Sequence, residues 1–452
     1  MNLKIQSLIS KIIYVAIFVI IHFSCEYEEY ERSEESKPLA ECINGHAKFE
    51  LNGVSYEYDC SGYDLIGYVS LEEMDANIGN DCWGWTDPST GKEYAIMGLD
   101  NGTAFIDISD PHVPIYLGKL PTQTISTIWR DIKVYKDHAF VVADFNSQNT
   151  SEDERMHGMQ VIDLNILSAI SKPEILKEDF IYLDHGKAHN LVINEDSGFA
   201  YSVGSDTFRG GIHVVNISTP KNPIFSSGYA DEGYSHDAQV VIYNGPDNDY
   251  KGKEIFFGSN ESKIVIIDVS DKDNMKTIST FEYSNSVPGY THQNWLTENH
   301  QYLLVGDELD EIKNIVDKTR TIILDISDLD NPVFHTDFLN ETDAIDHNGY
   351  VVNNEFFLAS YTAGMRVIDI LNINQKTIKE IGFFDTYNEL KNDQYNNTLN
   401  YKISSFDDDH GNPSKGRLPE FNGAWSVYPF FKSENVIISD INSGLFIVKK
   451  SN

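Results

Sequence analysis

An all-β chain folded as a seven-bladed β-propeller is predicted by three features: a recurrent short string, a four-strand pattern around it, and one strand left over near the start. The string appears as AFIDISDPHVP (104–114), QVIDL (160–164), HVVNISTPKNP (213–223), VIIDVSD (265–271), IILDISDLDNP (322–332) and RVIDI (366–370). Before each copy lies an apolar, β-rich run broken by a turn, such as NLVINEDSGFAYSVG (190–204). After most copies comes one more strand, such as PIYLGKL (114–120) or KEIGFFDTY (379–387). Four short antiparallel strands per unit, with hardly any helix periodicity, make a blade that buries its faces only against further copies of itself.

The units run over about 80–121, 126–183, 185–231, 233–284, 290–338, 344–387 and 421–450. The last, WSVYPFFKSENVIISDINSGLFIVKK, ends after three strands. YDLIGYVSL at 63–71 has the fourth-strand pattern and no unit of its own, so it is expected to complete that blade and leave no open edge in the ring. Asp107, Asp163, Asp268, Asp325 and Asp369, with Asn216 in the same place, end third strands and read as turn residues that hold backbone N–H groups.

Ahead of the repeats, Lys4 and Lys11 flank a start that runs into IIYVAIFVI and IHFSC. Ser24 directly before Cys25 resembles a bacterial lipoprotein signal, cleaved so that Cys25 becomes the lipidated first residue; a plain signal peptide or a short anchor helix is the alternative. The following EYEEYERSEESKP has the composition of a disordered tether and resembles the acidic stretch that sends lipoproteins of Bacteroidota to the outer cell surface. The expected organisation is a signal over 1–24, a tether over 25–41 and a propeller over 42–452. The protein would then be a monomer held in the outer membrane by lipid and facing outward.

A formal charge of −36 over 452 residues argues against nucleic acid, which calls for a basic stripe, and favours solubility and cation attraction. An exported chain favours disulfides, and Cys42 with Cys60 is the most natural pairing. Cys82 is then odd, a buried thiol or a metal ligand. No CxxC pair exists, so a zinc ribbon is excluded.

Several longer motifs carry a resemblance. WGWTDPSTGKEYAIMGLDNGTAFIDISDP (83–111), WRDIKVYKDHAFVV (129–142), HGMQVIDL (157–164), YNGPDNDYKG (243–252), DELDE (307–311) and FNGAWSVYPF (421–430) resemble the choice-of-anchor B family, built on LVIVD-type repeats. The resemblance spans roughly 42–450 and implies a secreted or surface-held propeller without bringing an established activity.

Aligned on their innermost strands, the units give a column of Trp83, Arg130, His189, His236, His292, His347 and Trp425. The next column is Gly84, Asp131, Asn190, Asp237, Gln293, Asn348 and Ser426. Innermost strands line the axis, so these residues should ring one mouth of the channel. Asp100, Asp144, Asp307 and Asp440 end second strands there, with Glu308 and Asp310 beside Asp307. The insertions at 146–155, 308–320 and 389–419 fall on the same face, where a rigid scaffold usually carries its function.

Three readings of this ring stand open. His189, His236, His292 and His347 suit a divalent transition metal (Zn, Mn, Fe, Cu or Ni), with neighbouring Asp and Asn fixing their tautomers; Ca is the further candidate cofactor. Such a site would support hydrolysis, lactonase-like, with Asp237 or Asp131 as general base. Without metal, Arg130 and the histidines would hold an anionic or sugar ligand while Trp83 and Trp425 stack on it, with Asp131, Asn190, Asp237 and Asn348 as polar contacts. Thirdly, the polar groups simply satisfy one another. His157 and His213 read as packed residues, DNDY (247–250) as a Gly-flanked turn rather than the calcium site its acids resemble, and DDDHG (407–411) as a solvated run or a lid. No GxSxG, P-loop or dinucleotide fingerprint appears in context. The function expected is binding of a ligand, glycan or protein partner at the axial mouth, with metal-dependent hydrolysis as the alternative.

Overall fold

The computed structural model describes residues 37–51, 53–145, 156–282, 290–387 and 421–451. The signal, Cys25, most of the tether, the insertions at 146–155 and 389–419 and the DDDHG run lie outside the described residues. Ala40, inside the expected tether, already exchanges backbone hydrogen bonds with Leu65.

The chain forms a β-propeller. Six sheets have a set of four strands in chain order, with innermost strands Gly79–Thr86, Trp129–Tyr135, Asn190–Asn194, Asp237–Ile242, Gln293–Leu296 and Gly349–Val352, and Glu174–Ile175 adds to the first in parallel at Ile115–Pro121. A seventh sheet is composite: Ala424–Tyr428, Val436–Asp440 and Gly444–Lys450 are completed by Tyr63–Ser70 from the other end of the chain, paired antiparallel from Gly444↔Ser70 to Lys450↔Tyr63. Each innermost strand touches the next around the axis, and Ala424–Tyr428 returns to Gly79–Thr86.

One feature has no counterpart in the repeat. Cys42–Ile43, His46–Leu51 and Val54–Ser61 form an antiparallel set that joins the outer edge of the sixth blade, Ser61 and Cys60 facing Phe383 and Phe384. A Cys42–Cys60 disulfide closes it, and Cys82 is free and buried. The start of the domain therefore adds strands to two sheets.

Two local devices repeat because the strings repeat. The side-chain oxygen of Asp107, Asp163, Asn216, Asp268, Asp325 and Asp369 accepts from the backbone N–H two residues on, which turns the chain into the fourth strand. A register shift between third and fourth strands recurs at Phe105/Ile106, Val214/Val215, Ile266/Ile267, Ile323/Leu324, Val367/Ile368 and Ile447/Val448. Such bulges add twist, which a blade needs to pack face to face on its neighbour. Third strands are almost wholly buried, as in Gly102–Asp107, whereas the fourth strand Lys276–Glu282 stays partly exposed. The apolar layers lie between blades: Val192, Tyr201 and Val214 of the third meet Ala238, Phe256 and Val265 of the fourth. Each fully buried Val or Phe among them contributes about 1.5–3 kcal/mol.

Candidate functional site

Four consecutive blades each bring a histidine to the axis through one corner. The backbone N–H groups of His189, His236, His292 and His347 donate to the carbonyls of Val203, Ser259, Gly306 and Ala359, each the last residue of its blade's second strand. The rings form an arc with centroids 4.2 Å apart for His189–His236, 4.3 Å for His236–His292 and 4.3 Å for His292–His347. Trp425 extends it, 4.7 Å from His347. His236, His292 and His347 are buried.

Their hydrogen bonds set the tautomers. Nδ1 of His236 donates to the His292 carbonyl at 3.1 Å, and Nδ1 of His347 to the Trp425 carbonyl at 2.6 Å. His189 Nδ1 lies 3.0 Å from Asp144 Oδ2, and Lys187 Nζ meets the same carboxylate at 2.8 Å. Burial alone would raise Asp144, but His189 and Lys187 outweigh it and hold the carboxyl below its ordinary range. With Nδ1–H committed, the lone pair of each of these rings sits on Nε2, the arrangement a metal-binding imidazole needs. Burial pushes His347 down to about 3, and burial together with His347, His236 and His189 pushes His292 well down, so both are neutral.

Glu308 completes this end. Its Oε2 lies 3.7 Å from His292 Nε2 and its Oε1 3.9 Å from His347 Nε2. Tyr361 donates to Glu308 Oε1 at 3.0 Å. Burial pushes Glu308 up to about 7, with the Tyr361 hydroxyl working against it. One ligand atom from each of His292, Glu308 and His347 lies within 4.8 Å of the others, a set that fits a divalent transition ion. His189 and His236 stand beside that set and are not part of it.

The layer below the histidines ties blade to blade. Asp81 accepts from the Ile132 N–H at 3.2 Å, Asp131 from Leu191 at 2.6 Å, and Gln293 from Gly349 at 2.8 Å. These shared roles show that Asp81, not Gly84, stands level with Asp131, so the alignment of the first blade requires correction. A bulge between Gly79 and Cys82 hides the register there, and Trp83 falls further along the strand, away from the histidines. Arg130 is corrected as well: it is buried, donates to the Leu99 carbonyl at 3.2 Å and meets His157 Nε2 at 2.9 Å, inside the blade stack. Asp131 is held by Lys133 at 2.6 Å, which leaves Asp237 as the freer carboxyl of the two proposed bases. Burial raises Asp237 to about 7. His213 is packed between Tyr182 and Thr207, as its place in a third strand implies.

Towards the other end of the innermost strands lies a cavity of about 650 Å³. Asp131, Asn190, Asp237 and Asn348 line it, and Arg130, Trp425 and the histidines of the arc do not. One side is aromatic. Trp83 lies 5.1 Å from Tyr428 and 5.9 Å from Tyr350, Trp295 lies 4.8 Å from Tyr350, and Phe430 lies 5.2 Å from Tyr428. The third and fourth sheets add Asn194, Glu195, Gln239 and Asn244, and Lys133 of the second lies over the Trp83 ring at 4.8 Å. Sequence reasoning named Trp83 but missed Trp295, Tyr350, Tyr428 and Phe430. A signal was present: Trp295, Tyr350 and Tyr428 each stand two residues beyond the polar column, so they point the same way from their strands.

No family model matches the chain, and no curated protein matches it. Among solved structures it is similar to a functionally unknown protein from Desulfotomaculum acetoxidans (11% identity, TM-score 0.47, 68% of this chain and 84% of that one). It is also similar to the Myceliophteria thermophila Cps50 (Swd1) β-propeller domain (9%, TM-score 0.49, 83% and 97%). A third is the Pseudomonas aeruginosa periplasmic gluconolactonase PpgL (10%, TM-score 0.45, 67% and 87%). The propeller itself rests on the sheet order and ring contacts described above.

Proposed function

We propose that this chain is a surface-held binding propeller that takes a polar, ring-bearing ligand, a glycan first, in the axial cavity. The observation that carries the reading is the divided lining: Trp83, Trp295, Tyr350 and Tyr428 come from the first, fifth, sixth and composite sheets, and the amides and charges of Asn190, Asn194, Glu195, Asp237, Gln239 and Asn244 from the third and fourth. A sugar has the same duality, with C–H faces for the aromatic side and hydroxyls for the polar one. We read the six consecutive sheets and the composite one as seven blades in a closed ring, supported by the pairing of Gly444–Lys450 with Tyr63–Ser70. Lipid attachment at Cys25, outward display and kinship with the choice-of-anchor B family belong to this proposal and rest on sequence motifs. A glycan screen followed by calorimetry tests it. Trp295→Ala should weaken the bound glycan at least ~10-fold, worth ~1.4 kcal/mol, with the fold intact. A screen without a binder, or a binder indifferent to Trp295, would reject it.

A second reading is favoured by one observation, the convergence of His292, Glu308 and His347. A transition ion there would polarise a substrate carbonyl or acidify water, with Asp237 as the candidate general base carried over from the sequence. Elemental analysis of wild type and of His292→Ala/His347→Ala decides it: metal near one per chain must be lost in the double variant.

A further inference from the structure

Beside the histidine arc, a second group of side chains converges. Asp307, Asp310 and Glu311 follow the second strand of the fifth blade, and Asp346 precedes the innermost strand of the sixth. Arg320 Nη2 reaches Asp307 Oδ2 at 2.7 Å and Asp310 Oδ2 at 2.6 Å. Glu311 Oε1 accepts from the Arg320 backbone N–H at 3.2 Å. The guanidinium thus reaches two of the four carboxylates. Asp346 is 1% exposed, and neither of its carboxylate oxygens has a hydrogen-bond partner among the described residues. Asp307 Oδ1 and Glu311 Oε2 are in the same condition. A Cβ added to Gly306 would stand 2.4 Å from Asp346 Oδ2, so the glycine leaves the space the carboxylate occupies.

Buried carboxylates without partners are costly, and a chain retains them where something charged completes them. One ligand atom from each of Asp307, Glu311 and Asp346 lies within 4.8 Å of the others. Oxygen ligands at 2.3–2.6 Å from a central calcium ion span up to about 5 Å across it. We propose that Asp307, Glu311 and Asp346 form a calcium site, all oxygen and separate from the histidine site, that pins the 307–320 segment of the fifth blade to the start of the sixth. The placement links the two sites: Asp307 and Glu308 are neighbours, as are Asp346 and His347, so an ion on the first residue of each pair fixes the backbone that carries the second.

The test uses the full chain stripped with EGTA and titrated with CaCl2 in a calorimeter, with thermal unfolding read in parallel. Wild type should bind about one Ca²⁺ and unfold several degrees higher when saturated, since a ligand of the folded state alone stabilises it. Asp346→Asn should weaken binding at least ~10-fold and abolish the thermal shift, while unfolding no lower than wild type in EGTA because it removes an unpaired buried charge. Glu311→Gln carries the same expectation should Asp346→Asn fail to fold. His292→Ala should keep the calcium response, which separates this site from the transition-metal reading. Absence of a calcium response in wild type, or its survival in both carboxylate variants, would overturn the proposal. Uptake of Zn²⁺ alone, lost in His292→Ala, would overturn it too and leave the histidine reading standing.

Discussion

The Tyr361 hydroxyl donates to Glu308 Oε1 at 3.0 Å, and both residues hold their backbone at φ 25°, a conformation side chains other than glycine rarely adopt. Strain of this kind persists where the surrounding packing over-determines it, and it clusters at sites with a task. Here it aims a carboxylate between His292 and His347. Tyr361→Phe removes the donor and leaves the shape. A hydrogen bond to a charged group is worth about 1.5–3 kcal/mol, so retention of a transition ion should fall by about tenfold or more. Competition with a chelator of known affinity reads this directly, and unchanged retention would mean that Glu308 is not a ligand.

Lys133 makes a different prediction. Its ammonium, half-buried in the cavity lining, lies 2.6 Å from Asp131 and 3.8 Å from Asp81 and over the Trp83 ring at 4.8 Å. Removing one partner of a buried pair costs about 3–5 kcal/mol because the other charge is stranded. Lys133→Met should therefore lower stability by that order in denaturant titration. A loss under ~1 kcal/mol would show that water reaches this layer and restores Asp131 as a candidate base.

These cases show what the sequence made legible. The histidine arc was readable because each copy follows one local pattern, with the His at a strand start and an amide or acid after it. The first blade broke the pattern: GNDCWGWT has no clean alternation, and its bulge displaces Trp83 from the column it was aligned to. Arg130 looked like a mouth residue from position alone, yet His157 and the Leu99 carbonyl, far along the chain, draw it into the blade stack. The aromatic side of the cavity is spread over four blades, so no local window contained it. Asp346 is another such case, an ordinary residue before His347 until the fold brings Glu311 and Asp307 against it.

A buried histidine gives a pH test outside the axial site. His185 is 2% exposed, accepts from or donates to Ser202 at 3.1 Å through Nε2, and is pushed down to about 3 by burial with His213 as the lesser cause. Its folded value lies below the unfolded value of about 6.5, so the unfolded chain takes up the proton first and stability is lost as pH falls below about 6.5. Between pH 6.5 and 5 this one group accounts for about 2 kcal/mol. The stability gap between wild type and His185→Gln should accordingly narrow by about that amount from pH 7 to pH 5 in denaturant titrations. A constant gap would mean that His185 is protonated or solvated in the folded chain.

The pairing of Gly444–Lys450 with Tyr63–Ser70 turns on Gly67. It lies in Tyr63–Ser70, the strand supplied from near the start of the chain, and a Cβ there would stand 2.1 Å from the Pro111 carbonyl oxygen and 3.3 Å from Pro114 Cδ of the first blade. The obstacle is backbone, fixed by the turn that Asp107 and Asp110 hold through Ser109 and His112, so it cannot swing aside as a side chain would. Gly67→Ala must push this strand off either the first blade or Gly444–Lys450. Overpacking of this kind costs about 1–3 kcal/mol, occasionally more. The variant should unfold earlier, because a shift of this strand also disturbs its buried Leu65 and Val69 and the backbone bonds between Ala40 and Leu65. Ser70→Ala, at the end of the same strand, is the control: it removes one hydrogen bond to the Glu73 N–H and adds no atom. If Gly67→Ala unfolds no earlier than that control, this strand is not packed tightly against the first blade.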